Sequence, residues 1–167
     1  MVQQVHNRTP SFWNSRYFEW GVVIVVLFSI VGVFARQYRQ LEGQAEYAAI
    51  QSTMGNMRTA LLLDFLQRSA SARAQAAPGS EQNPFPLLMT PIENYAGEVP
   101  MAEQADVEPG SWVFDGKCVC VGYRPLHPEW LLPAKDPAVL WFKLSSNGGP
   151  IQMTALHHYR WQGQTIY

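Results

Sequence analysis

Hydrophobic and polar positions divide the chain into three regimes. From Trp20 to Ala35 no residue carries a charge and most are Val, Ile, Leu or Phe; Tyr17 and Phe18 extend the block, with Glu19 as its single acid. An α-helix needs roughly 20 apolar residues to cross a bilayer core, and residues 17–35 meet that length. The run is rich in β-branched residues, which in water favours a strand, but lipid offers the backbone no partner except itself, so the segment spans as a helix. A cleaved signal peptide fits less well, because Ala35 leads into Arg36, Gln37 and Tyr38 with no small-residue junction. A buried core helix is the other alternative. The reading adopted is a retained transmembrane helix, preceded by a short flank over residues 1–16.

The second regime has a different period. No proline occurs from Arg36 to Arg73, and Ala, Leu, Gln, Met and Arg, all good helix formers, are abundant. Apolar residues recur at Tyr38, Leu41, Ala45 and Ala48, then at Ile50, Met54, Met57, Leu61 and Phe65. Steps of three and four predict one buried stripe on an amphipathic helix over residues 36–74. Pro78 and Gly79 supply the stop. Joined to the span, this makes one helix of nearly sixty residues, roughly 85–90 Å long. Its second part must bury the stripe against something other than lipid.

The third regime breaks the helical period. Residues 75–110 hold five prolines between Pro84 and Pro109 and six acids from Glu81 to Glu108, predicting an irregular acidic loop with a turn of helix near Ile92–Ala96. Residues 111–167 read as a sheet. Two β-rich runs flank Asp115-Gly116, a dipeptide suited to a type I′ hairpin turn. Ala138–Leu144 predicts a third strand, Asn147-Gly148-Gly149 a turn, and Ile151–Trp161 a fourth strand. The fold class expected is α+β: the long N-terminal helix packed on a small antiparallel sheet of three or four strands. Trp112, Phe114, Val119, Val121 and Trp141, with Met57, Leu61 and Phe65 from the helix, are the expected core.

Composition narrows the function classes. The chain has 167 residues, about one domain of ordinary size. Charged residues make up 15%, against about a quarter in typical domains, and the deficit lies in the span. A net charge of −1 provides no overall basic field, and the region after Gln75 is acidic, so a nucleic-acid partner is not expected. Arg8 and Arg16 before the span balance Arg36 and Arg39 after it, so near-membrane charge does not orient the helix.

No catalytic residue, cofactor-binding residue or metal site is expected, and the chain does not read as an enzyme. It has no glycine-rich phosphate loop and no G-x-S-x-G. Cys118 and Cys120, two apart on a predicted strand, would have Cα atoms about 6.5 Å apart, at the upper edge of disulfide geometry. They are expected to be unbonded small hydrophobes. His157 and His158 would face opposite ways on a strand, which leaves the cysteines without the two further ligands a zinc site needs.

With these elements in place, the chain resembles the type IV pilin and type II secretion pseudopilin class. Phe18-Glu19-Trp20-Gly21 followed by Val22–Leu27 is similar to the pilin N-terminal segment, where one acid opens an otherwise uncharged helix. Pro109–Asp115 and Val121–Pro125 look like the first sheet hairpin of pseudopilin-type subunits. The resemblance implies a minor-pilin-like structural subunit, held single-pass in a bacterial inner membrane with its head in the periplasm or in an extracellular filament. Its partners would be other pilin-like subunits, assembly-platform membrane proteins and membrane lipid. Glu19, with Gly21, Ser29 and Gly32 for close helix approach, would be the assembly residues. In the family, the acid is thought to meet the terminal amine of a neighbouring subunit. Here Asn14 stands where the family has the glycine before the cleavage point, so residues 1–14 are expected to be kept, with Glu19 at headgroup level, able to pair with Arg16. The alternative function is a bitopic, membrane-anchored accessory protein that binds a partner through its extracytoplasmic head.

Overall fold

The computed structural model describes residues 16–70, 83–133, 138–146 and 149–166. The chain divides into two compact units, Met1–Glu42 and Gly43–Tyr167, and helix α1 (Arg16–Ala70) belongs to both. In the first unit the helix buries nothing. Its large apolar side chains from Tyr17 to Phe34 are exposed on every side, as are Tyr38 and Leu41. An all-round apolar helix needs a surrounding apolar phase or like helices to cover it.

In the second unit the helix becomes one-sided. Gly43, Glu46, Ile50, Met54, Met57 and Leu61 are buried, at steps of three, four, four, three and four. This is the stripe that the periodicity predicts, with a correction at each end. Upstream it passes through Gly43 and Glu46, and Ala45 and Ala48 are exposed instead. Downstream it stops at Leu61, and Phe65 is only half-buried. The predicted helix end near Ala74 lies outside the described residues.

The stripe packs on a mixed five-stranded sheet with order β1-β2-β3-β5-β6. Its strands are β1 (Tyr95–Glu98), β2 (Trp112–Asp115), β3 (Cys120–Tyr123), β5 (Leu140–Ser145) and β6 (Gln152–Ala155). Neighbours pair antiparallel except β1, which lies parallel to β2. A second sheet joins β4 (Leu131–Leu132), β7 (Tyr159–Trp161) and β8 (Gln164–Ile166) in the order β4-β7-β8. The fold is α+β, as the sequence predicts, but it has more strands. The expected fourth strand over Ile151–Trp161 breaks at Leu156–His158 into β6 and β7, which serve different sheets.

Alternation sorts the five-stranded sheet into two faces. Trp112, Phe114, Val121, Tyr123, Leu140 and Phe142 join the helix stripe in the main core. Val113, Cys120, Val139 and Trp141 point the other way, into a second cluster with Val107. That face is covered by the segment over residues 99–107, where Val99 and Met101 pack on it and Trp141 Nε1 donates to Gln104 Oε1 at 3.0 Å. The acidic stretch expected to be an irregular loop therefore supplies a strand (β1, where a helical turn was expected) and the outer cover of the sheet. Trp141 is core, but not on the helix side, and Val119 is only partly buried. Gly122 is required where the layers are tightest. A Cβ there would stand 2.7 Å from Trp141 Cζ3 and 2.8 Å from Val113 Cγ2.

Candidate assembly surfaces

The first surface is the span. One described helix, α1, is long and apolar enough to cross a membrane, and none of its most apolar stretch is buried within the chain. Gly21 and Gly32 are eleven residues apart, three helical turns, so they share one side within about 20°. A Cβ at either would meet nothing within 4 Å among the described residues, which leaves open backbone where another helix can approach. Ser29 sits toward the same side, and its hydroxyl donates to the Val25 carbonyl at 2.8 Å, so its donor is satisfied within the helix. Glu19 is exposed and falls on the opposite side of the helix from Gly21. The four residues therefore do not form one face: Gly21, Ser29 and Gly32 belong together and Glu19 does not. The side chain of Arg16 and the junction at Asn14 lie outside the described residues.

The second surface is internal and fixes the helix to the head. Glu46 is buried at 8% exposure, and its Oε1 accepts from the Tyr123 hydroxyl at 3.0 Å and from the Leu126 backbone N–H at 2.6 Å. Its Oε2 is buried and has no hydrogen-bond partner among the described residues. One turn earlier, Trp161 Nε1 donates to the Gly43 carbonyl at 2.8 Å. A Cβ at Gly43 would run into the amide end of Gln162, which would have to move aside, and would come within 3.2 Å of Trp130 Nε1. Sequence reasoning missed this group because Glu46 and Gly43 do not look like core. The available signal was position: Glu46 lies four residues before Ile50, on the line of the stripe.

Burial first, then the Glu46 charge and the hydrogen bond to it, push the Tyr123 phenol well above the ordinary tyrosine value. The folded state thus holds this proton more tightly than the unfolded state. Its stabilising contribution is complete below about pH 10 and is lost as the pH rises above that value. Burial also raises Tyr95 and Tyr159. Thermal melts of the full chain in detergent should fall off above about pH 10, and Tyr123→Phe should make that decline shallower.

The cysteines correct an expectation. Cys118 and Cys120 are disulfide-bonded, with Cα atoms 5.3 Å apart. The expectation of an unbonded pair assumed two strand residues, whereas β3 begins at Cys120. Cys118 lies in a four-residue turn, Gly116–Val119, and Val119 at φ +57° bends the backbone so that the thiols meet. The hairpin closes at the Asp115–Cys120 pair and not at a two-residue Asp-Gly turn. Asp115 organises this tip: Oδ1 accepts from Lys117 N–H at 2.8 Å, and Oδ2 accepts from Met101 N–H at 2.8 Å, tying the turn to the outer cover.

Two grooves flank the helix on the head. One, of about 490 Å³, runs between α1 and the segment over residues 87–92. The other, of about 670 Å³, lies between α1, the outer edge of β6 and the end of β8; Arg58, Leu62, Met153, His157, His158 and Ile166 are among its walls. His157 and His158 are both exposed there. Among the described residues no three His, Cys, Asp or Glu side chains converge on a metal-sized site. In comparisons with known proteins, the chain matches no family model, no curated protein and no solved structure.

Proposed function

We propose that this chain is a pilin-like structural subunit of a type IV pilus, of a type II secretion-type filament, or of the machinery that assembles them. It would sit single-pass in a bacterial inner membrane with its head on the far side from the cytoplasm. One observation carries the reading: a single helix is apolar on all sides through Ala35 and, from Gly43 on, carries a one-sided buried stripe that is covered by a sheet. A plain anchor needs the first half only. One helix that supplies both the span and the buried stripe of the head suits a subunit whose spans bundle. The glycine-bearing side at Gly21 and Gly32, with Ser29, is the natural contact for like helices. The reading is tested by shearing filaments from cells that produce the protein and asking whether the chain is in them. Recovery in the filament fraction supports it, and retention in the membrane by filament-bearing cells favours the anchored accessory protein instead.

A further inference from the structure

The two edges of the five-stranded sheet differ in chemistry. On the β1 side, residues 83–116 contain no lysine or arginine, and Glu93, Glu98, Glu103, Asp106 and Glu108 are all exposed. Arg124, which reaches this side, donates to the carbonyls of Ala105 and Val107. On the β6 side, β5 and β6 contain no aspartate or glutamate, Lys143 on β5 is exposed, and Arg58, His157 and His158 stand exposed around the groove beside β6. The head is acidic at one edge and basic at the other.

The edges also differ in shape. Met89, on the segment leading into β1, stands 96% exposed, the most exposed of the large hydrophobic side chains described. The β6 side holds the 670 Å³ groove, with an apolar floor and Arg58, His157 and His158 at its rim. Among the described residues β6 pairs with β5 alone, so its outer edge faces no other strand. The two sides are opposite. At about 100° per residue, Ala60 and Asp64, beside the Met89 segment, fall on one flank of the buried stripe, and Arg58 and Leu62 on the other.

We propose that heads associate head to tail: the Met89 segment of one copy seats in the β6-edge groove of the next, with Glu93 and Glu98 facing Arg58, His157 and His158. The occupant is a second copy of this chain because one head carries both halves of the match. Exposed ion pairs contribute little individually, so they set register while the apolar knob provides the contact. Unlike faces make a heterologous interface, which propagates into an open helical array unless its rotation happens to close a ring. Copies confined to one membrane meet at high effective concentration, so a weak contact suffices. The proposal rests on the subunit reading and names the head surface through which subunits meet.

The test uses the full chain in membranes, expressed as a mixture of isotopically heavy and light copies. His158→Lys places an amine at the groove, and a zero-length carbodiimide joins amines to carboxylates that touch them. The expected product is a mixed heavy–light peptide linking position 158 to Glu93 or Glu98, lost to background when Met89→Asp is added. Met89 makes no packing contribution that this change would remove, so the fold is retained. Links found only within one copy, or mixed links that survive Met89→Asp, overturn the proposal. The assay does not depend on filaments. Filaments without the link contradict this interface alone, and the link without filaments contradicts the filament reading while the contact stands.

Discussion

Replacing Leu61 with alanine is expected to destabilise the head by about 2–5 kcal/mol, whereas Phe65→Ala should cost roughly 1 kcal/mol. The larger side chain has the smaller effect because the stripe ends before it. Leu61 is fully buried in the cluster that holds Met57, Phe114 and Phe142, so truncation leaves a cavity between helix and sheet. Phe65 is half-buried and lies outside that cluster. Pulse proteolysis of the full chain in detergent across a urea series measures both variants. Equal losses, or a larger loss at Phe65, would mean that the helix docks in another register.

The second large effect concerns the other half of the helix. Ile24→Arg combined with Phe28→Arg should remove the chain from the membrane, since each arginine at mid-span costs roughly 2.5–3.5 kcal/mol on insertion scales. Both positions are open to the surroundings, with Phe28 at 74% exposure, so the chain itself offers no shelter for the guanidinium groups. The head has its own core and should be unaffected. Alkaline carbonate extraction separates the outcomes: wild type stays in the pellet and the double variant moves to the supernatant. A variant that stays in the pellet would show that something other than residues 17–35 holds the chain to the membrane.

The parts legible in the sequence are those governed by a single period. The span follows from uninterrupted apolar character, and Ile50, Met54, Met57 and Leu61 follow from steps of three and four. The inward facing of Trp112 and Phe114 follows from strand alternation. What escaped depends on contacts distant in sequence. Glu46 is polar, and only Tyr123 and Leu126, some eighty residues later, make its burial tolerable. β1 is four residues with Gly97 at φ +98°, too short and irregular to announce a strand, and it exists because β2 lies alongside it. The cysteine pairing turned on a valine in a left-handed conformation that β-branched residues rarely adopt. Of the candidate assembly residues, Gly21, Ser29 and Gly32 fall together because helical geometry is local. The edge-to-edge difference in charge became visible only when strand order placed residues 93–98 and 152–158 at opposite ends of one sheet.

Quantitative mass spectrometry of sheared, purified filaments, with wild type and the Ile24→Arg/Phe28→Arg variant run in parallel from cells that assemble them, decides whether the chain is a filament subunit. Peptides of the wild-type head should co-purify with the filaments at constant stoichiometry through repeated shearing and sedimentation, and the variant should be missing from them. Wild-type chain that remains wholly in the membrane pellet while filaments are recovered without it would show that the chain is not a filament subunit.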